Sequence, residues 1–185
     1  MVLKMLRNIP NYITIFRVML VFVFIYLFSS DIDHKNLYCV ITFLIAGASD
    51  VLDGFLARKF KIESDFGKLM DPFADKLMQI TVAICMSVKE ASLVWVPIFL
   101  ILKELVMIFG AAKLLRKSNI VVKANIFGKL ASVVYFLVFL TIMIFNNIGF
   151  VMKNILCLTF VIMSILAFVS YIISYKEVYM KSHKQ

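Results

Sequence analysis

The sequence predicts an all-α integral membrane protein, a bundle of six transmembrane helices. Hydrophobic residues make up 63% of its 185 residues and charged residues only 17%, whereas soluble domains average about 45–50% and about 25%. Apolar runs recur along the chain, and about 20 apolar residues in a helix cross a hydrocarbon layer of ~30 Å. Because a soluble domain of this size cannot bury so much apolar surface, we expect residues 1–185 to form a single membrane domain.

Charged or polar residues separate the apolar runs and set the predicted orientation. The six spans are predicted at 12–30, 37–57, 69–88, 92–115, 125–146 and 152–175. An even number of spans places both termini on one side of the membrane. Of the 20 Lys and Arg residues, only Lys35, Lys89 and Lys153 lie at the ends of spans on the other side. Since cytoplasmic connections are rich in Lys and Arg, the termini and the 58–68 connection are predicted to be cytoplasmic.

The net charge of +9 does not indicate a nucleic-acid partner. A nucleic-acid-binding protein clusters its basic residues on one face, whereas here they flank apolar runs, so the expected partner is the lipid bilayer. The cysteines Cys39, Cys85 and Cys157 are far apart inside apolar runs and are predicted to be packing residues. With only His34 and His183 present, zinc chemistry and His-based triads are excluded.

Four acidic residues lie where a membrane span should contain none. Asp50 and Asp53 are at the end of the second span, and Asp71 and Asp75 are at the start of the third. A carboxylate at mid-bilayer costs at least ~2.5 kcal/mol, so four of them require compensation. The i, i+3 and i, i+4 spacings put each pair on one helical face. Two helices joined by a ten-residue turn are therefore expected to aim the four carboxylates at one point.

Four converging carboxylates without His or Cys form an all-oxygen site that suits Mg²⁺ or Mn²⁺. Two divalent cations would relieve the repulsion among the carboxylates and create a phosphate-binding surface. The alternative is a structural salt-bridge cluster with Arg58, Lys68 and Lys76. The spacing disfavours that alternative, because a structural cluster would pair its charges one for one.

Small residues and an arginine accompany the carboxylates. Gly54, Ala57 and Gly67 leave the backbone bare beside them. Glycine inside a helix costs up to ~1 kcal/mol relative to alanine, and the close approach of a flat ligand would explain that cost. Arg58 is a bidentate donor suited to phosphate oxygens. Taken singly, each glycine is more often a contact between packed helices.

The segment 50–75 resembles the signature of the CDP-alcohol phosphatidyltransferase family, D-x2-D-G-x2-A-R-x8-G-x3-D-x3-D. All eight fixed residues are present at that spacing. The family has six transmembrane helices, commonly dimerises, and transfers a phosphatidyl group from a CDP-linked lipid to an alcohol with release of CMP. The resemblance therefore implies CDP-diacylglycerol as the donor, a homodimer, and a multi-pass protein of a bacterial-type inner (plasma) membrane with a cytoplasmic active site.

The same resemblance assigns roles to the residues of the segment. It implies that two divalent ions are held by Asp50, Asp53, Asp71 and Asp75, and that Asp75 also takes the proton of the attacking hydroxyl as the catalytic base. The CDP-lipid site would be formed by Asp53, Gly54, Ala57, Arg58 and Gly67.

The start of the chain resembles bacterial family members whose acceptor is sn-glycerol 3-phosphate. These members have the pattern P-N-x2-T-x2-R, which here includes Thr14 and Arg17. These members also have an Arg-Glu pair and a G-K-x-K-T segment, which correspond here to Lys103-Glu104 and to the segment that begins with Gly128-Lys129. This chain departs from them at two positions: it has Ala111 in place of an arginine and Ala131 in place of the second lysine of that segment. The resemblance favours glycerol 3-phosphate as the acceptor, bound by Lys103, Arg116 and Lys129.

Two alternatives remain open from the sequence. Within the family, the acceptor could be phosphatidylglycerol or another polyol, which would need fewer cations and would agree with Ala111 and Ala131. From another class, the intramembrane carboxylates could belong to a small cation transporter. A transporter should also have polar residues in the outer halves of its spans, and the fifth and sixth spans have almost none.

Overall fold

The computed structural model describes the backbone of residues 2–60, 65–118, 126–145 and 147–182, and side chains within 12–55, 70–109, 126–145 and 147–173. These residues form six long helices and one 3₁₀ turn, with no strand among them. The helices are α1 (Val2–Ser29), α2 (Lys35–Phe60), α3 (Asp65–Lys89), α4 (Trp95–Ser118), α5 (Ile126–Ile144) and α6 (Phe150–Ser182), and the 3₁₀ turn is Ala91–Leu93. The predicted all-α membrane fold is confirmed.

Five of the helices are long and apolar enough to cross a membrane, within the described residues. The helix outside this set is α3, which was predicted to be the third span. It differs because Asp71, Asp75 and Lys76 interrupt its first half with charge. The predicted 58–68 connection is too long, since α2 continues to Phe60 and α3 begins at Asp65. Polar residues at the ends of the apolar runs are helical because helix propensity does not require an apolar environment.

The chain divides into two compact units, Met1–Glu90 and Ala91–Gln185. In the first unit, α1 packs against both α2 and α3. One face of α1 is buried at helical spacing: Thr14 and Arg17 come first, and Leu20, Val21 and Phe24 follow. The same helical repeat that packs the apolar part of this face therefore also turns the Thr14 hydroxyl and the Arg17 guanidinium toward α2 and α3.

The second unit has its own aromatic core between α4, α5 and α6. Tyr135 stacks on Phe139 with 4.3 Å between ring centroids, and Phe160 meets Tyr135 edge-on at 5.1 Å. The Trp95 indole nitrogen donates a hydrogen bond to the Asn154 side-chain oxygen at 3.1 Å, which joins α4 to α6. Aromatic contacts of this kind contribute ~0.5–1.5 kcal/mol each beyond the burial of their area.

Candidate active site

Arg17 lies at the centre of a charged cluster inside the first unit. Its Nη1 atom donates to Asp50 Oδ1 at 2.7 Å, and its Nη2 atom donates both to Asp53 Oδ2 at 3.0 Å and to Asp71 Oδ1 at 3.1 Å. Asp50 and Asp53 are one helical turn apart on α2, and Asp71 is on α3. One guanidinium on α1 thus joins three carboxylates from two other helices.

Burial makes these ion pairs unequal. The side chains of Arg17 and Asp53 are 4% and 3% exposed, whereas those of Asp50 and Asp71 are 52% and 35% exposed. Removing one partner of a buried ion pair costs about 3–5 kcal/mol because the other charge stays buried without compensation. The Arg17–Asp53 pair is therefore the fixed part of the cluster, and the other two carboxylates reach toward the surface.

Thr14 extends the cluster by one turn of α1. Its Oγ1 atom donates a hydrogen bond to Asp71 Oδ1, the same oxygen that accepts from Arg17. The Thr14 residue is completely buried. Because Thr14 and Arg17 are three residues apart on one helical face, both can donate to the same oxygen and jointly fix the position of the Asp71 carboxylate.

Asp75 lies one turn beyond Asp71 on α3 and has a different set of neighbours. Its Oδ2 atom accepts a hydrogen bond of 2.9 Å from the Gln79 side-chain amide. The Lys76 ammonium is 4.0 Å from the same oxygen, and Asp75 is within electrostatic range of Asp50 and Arg17. The Asp75 side chain is 35% exposed. Asp75 is therefore an oriented and accessible carboxylate at the edge of the cluster.

The donor set fits a divalent cation, although the cluster as it stands is built around Arg17. Among the described side chains, no three acidic, His or Cys groups are arranged so that they could hold one ion without rearrangement. Every available ligand is a carboxylate oxygen, which is the ligand type of Mg²⁺ and Mn²⁺. Within the described part of the chain, Asp53 Oδ1 is buried and has no hydrogen-bond partner. A buried oxygen that lacks a partner is suited to coordinating a cation.

Of the three cations in the salt-bridge alternative, Lys76 lies 4.0 Å from Asp75, and the cation among the other three carboxylates, Arg17, was not named. Arg17 lies between the carboxylates of Asp50, Asp53 and Asp71, whereas Lys76 lies beside Asp75 and donates a hydrogen bond to Gln79. The side chains of Arg58 and Lys68 lie outside the described part of the chain. Sequence reasoning noted Arg17 and Thr14 only within the P-N-x2-T-x2-R pattern and missed Gln79 altogether. The available signal was an arginine inside an apolar span, which needs a buried acidic partner.

The predicted CDP-lipid residues are described only in part. Gly54 follows Asp53 on α2 and is half-buried. Ala57 and Arg58 continue α2, and Gly67 lies in the first turn of α3, but their side-chain surroundings lie outside the described residues. Their predicted roles remain predictions.

The predicted acceptor residues all belong to the second unit. Lys103 makes an ion pair of 2.9 Å with its neighbour Glu104, and both side chains are mostly buried. Lys129 is exposed at the end of the first turn of α5, after Gly128, where an added Cβ would meet nothing within 4 Å. The Arg116 side chain lies outside the described residues, in the last turn of α4. Their acceptor role also remains a prediction.

The hydrogen bond of Thr14 gives a first testable prediction. Thr14→Val keeps the shape of the side chain but leaves Asp71 Oδ1 with one donor fewer. A hydrogen bond to a charged group is worth ~1.5–3 kcal/mol, and because water reaches part of Asp71, we expect a loss near the lower value, ~1.5 kcal/mol. The measurement is the free energy of unfolding in detergent micelles. Thr14→Ser, which retains the hydroxyl, should stay close to wild type, and a Thr14→Val protein as stable as wild type would contradict the prediction.

Comparison with known proteins defines the class to which this fold and site belong. The sequence model of the CDP-alcohol phosphatidyltransferase family matches residues 7–178. The chain belongs to this family and is an enzyme. The family is generally dependent on divalent metal ions. Membership removes the cation-transporter alternative.

The names of individual relatives specify a reaction more narrowly than the family does. A protein of Rickettsia typhi is 34% identical over 125 residues, which cover 68% of this chain and 70% of the relative. A protein of Rickettsia felis is 35% identical over 132 residues, 71% and 70% of the two chains. One of Haemophilus influenzae is 41% identical over 91 residues, 49% of each chain. All three are named CDP-diacylglycerol--glycerol-3-phosphate 3-phosphatidyltransferase.

Proposed function

We propose that this enzyme transfers the phosphatidyl group of CDP-diacylglycerol to sn-glycerol 3-phosphate, releasing CMP and giving phosphatidylglycerophosphate. The observation that supports the reaction type is the complete eight-residue pattern in segment 50–75 within a chain matched by the family over residues 7–178. The names of the relatives support CDP-diacylglycerol as the donor and glycerol 3-phosphate as the acceptor. None of these relatives is named for phosphatidylglycerol as the acceptor, which only Ala111 and Ala131 of this chain favour.

The carboxylates are the residues that would hold the metal ions. Asp50, Asp53, Asp71 and Asp75 supply oxygen ligands for two divalent ions, Mg²⁺ or Mn²⁺. When bound, such ions neutralise charge on the pyrophosphate and on the departing phosphate. The rest of the cluster positions these ligands: Arg17 holds three of the carboxylates, and Gln79 fixes the fourth.

The transfer itself needs one proton acceptor. A hydroxyl oxygen of glycerol 3-phosphate forms a bond to the phosphorus that bears diacylglycerol, and the bond from this phosphorus to the CMP oxygen breaks. Asp75 takes the hydroxyl proton, and CMP leaves with the electron pair of the broken bond. Asp75 suits this role because its carboxylate is partly exposed and is oriented by the Gln79 amide. In-line transfer of this kind depends on positioning and charge neutralisation.

Donor and acceptor would be bound by separate residues. The small side chains of Gly54, Ala57 and Gly67 would admit the flat cytidine, and Arg58 would contact the pyrophosphate. The phosphate dianion of the acceptor needs cations, for which Lys103, Arg116 and Lys129 are the candidates. Because Lys103 is paired with Glu104, the exposed Lys129 is the first candidate.

The orientation and assembly belong to the same proposal. The Lys and Arg distribution supports cytoplasmic termini and a cytoplasmic active site, and the bacterial relatives support the inner membrane as the location. The charged ends of α2 and α3 would then lie at the cytoplasmic headgroups, the depth at which the scissile phosphate of CDP-diacylglycerol is found. We propose a homodimer on the basis of the family resemblance.

The decisive experiment measures CMP release by purified protein with CDP-diacylglycerol and a panel of acceptors. Glycerol 3-phosphate should give CMP and phosphatidylglycerophosphate in equal amounts, and phosphatidylglycerol, glycerol and inositol should give no product above background. Product from phosphatidylglycerol but not from glycerol 3-phosphate would retain the reaction type and overturn the acceptor. Failure to release CMP with any acceptor would overturn the proposed function.

Lys129→Ala tests the acceptor site. Loss of a charge-assisted hydrogen bond to the acceptor phosphate is worth ~1.5–3 kcal/mol, or about 10- to 150-fold in affinity. We expect the KM for glycerol 3-phosphate to rise by this factor while the KM for CDP-diacylglycerol stays nearly constant. Lys153→Ala, which removes a cation near the start of α6, is the control. Equal increases in both KM values, or none, would show that Lys129 does not bind the acceptor.

A further inference from the structure

The carboxylate cluster already contains a cation that belongs to the chain. Arg17 Nη2 bridges Asp53 and Asp71, and Nη1 reaches Asp50. Two buried atoms of this cluster have no hydrogen-bond partner among the described residues, namely Asp53 Oδ1 and Arg17 Nε. The guanidinium therefore offsets one of the three negative charges and leaves one buried carboxylate oxygen without a hydrogen-bond donor in the part of the chain that the structure describes.

We propose that Arg17 is the resident counter-ion of this cluster: it holds Asp50, Asp53 and Asp71 together before metal binds and gives up part of these contacts when a divalent ion is loaded. Arg17 is thus a positioning residue, and metal loading is an exchange of cations within a preassembled site. The inference rests on the proposed function, because it takes the carboxylates to be metal ligands.

Geometry supports an exchange. The guanidinium nitrogens lie 2.7–3.1 Å from three carboxylate oxygens, whereas Mg²⁺ binds oxygen at about 2.1 Å with nearly octahedral geometry. Arg17 and a divalent ion would draw on the same three carboxylates, and the two cations repel each other. The partnerless Asp53 Oδ1 is the ligand that an incoming ion can take before any Arg17 contact is broken.

Electrostatics gives the direction of the effect. Without Arg17, the carboxylates of the metal-free protein repel one another and Asp53 is buried without a counter-charge, so the metal-free fold loses stability. The same repulsion makes the cluster attract a divalent ion more strongly. Arg17 therefore weakens metal binding and makes folding independent of metal.

The experiment compares Mn²⁺ binding and thermal unfolding for wild type, Arg17→Gln and Arg17→Lys in detergent micelles. Free Mn²⁺ is followed by electron paramagnetic resonance, and unfolding is recorded in EDTA and in saturating Mn²⁺. We expect Arg17→Gln to bind Mn²⁺ at least ten-fold more tightly than wild type, to unfold at a lower temperature in EDTA, and to gain more thermal stability from Mn²⁺. Lys89→Gln removes one positive charge at the other end of α3 and should change the Mn²⁺ affinity less than two-fold.

If Arg17→Gln does not fold, Arg17→Lys still tests the counter-ion role. Lysine retains the charge but has no planar fork to bridge three carboxylates, so the Mn²⁺-induced gain in stability should lie between those of wild type and Arg17→Gln, and above wild type in any case. Mn²⁺ binding that is unchanged or weaker in both variants, with no larger gain in stability, would overturn the counter-ion role while leaving the proposed function intact. Wild-type protein that binds no Mn²⁺ would overturn both this inference and the metal site of the proposed function.

Discussion

Replacing Asp75 with asparagine is expected to lower kcat for CMP release by about 10²-fold or more, the range typical of the loss of a general base. Asparagine has the same size and retains an oxygen, but it cannot take the proton of the attacking hydroxyl. The binding of CDP-diacylglycerol should change little, because the carboxylates of Asp50, Asp53 and Asp71 remain with Arg17. The measurement is steady-state CMP release, with donor binding measured separately.

The control for this variant is Asp31→Asn. Asp31 is an exposed acidic residue in the connection between α1 and α2, so its replacement should leave kcat unchanged. A variant at Gln79 completes the comparison. Gln79→Ala removes the amide that orients Asp75 and should lower kcat by a smaller factor than Asp75→Asn. Near-normal turnover of Asp75→Asn would show that the hydroxyl proton leaves by another route.

The sequence predicted the five helices other than α3 well because each of their apolar runs has the length that a span requires. It was less accurate where charge interrupts such a run. Helix α3 has Asp71, Asp75 and Lys76 in its first half, and its remaining apolar part is shorter than a full span. The connection before it was predicted to be too long, because the helix-forming residues Arg58 and Lys59 were taken as loop although α2 includes both.

The four carboxylates could be predicted from spacing, but their partner could not. Positions 50, 53, 71 and 75 are near one another in the sequence, and the i, i+3 and i, i+4 rules apply to each pair. Arg17 is 33 residues from Asp50, and its position depends on how α1 packs against α2 and α3. Packing of this kind depends on which faces of three helices meet, which local periodicity does not specify. Gln79 was missed for a related reason. A glutamine one turn after an aspartate is common in helices, and only the structure shows that its amide donates a hydrogen bond to Asp75.

Removal of divalent ions is expected to abolish activity, and charge explains why. In the described part of the first unit, the carboxylates of Asp50, Asp53, Asp71 and Asp75 face two cations, Arg17 and Lys76. Four negative and two positive formal charges repel a pyrophosphate, which is itself an anion. Two divalent ions would make this set of charges positive and allow the donor to bind. Exhaustive treatment with EDTA should therefore reduce CMP release to background, because the donor pyrophosphate is no longer neutralised.

Which ion restores activity tests the type of metal ligand, carboxylate oxygen, as well as the need for positive charge. Millimolar Mg²⁺ or Mn²⁺ should restore full turnover, since both prefer oxygen ligands, whereas Zn²⁺ should restore little, since it prefers histidine nitrogen and cysteine sulfur. EDTA added already saturated with Mg²⁺ should have no effect, which separates chelation from other actions of the reagent. Full turnover after exhaustive chelation would mean that Arg17, Lys76 and the other cations of the chain neutralise the pyrophosphate unaided. The carboxylates of α2 and α3 would then have to act without the metal ions that their all-oxygen donor set predicts.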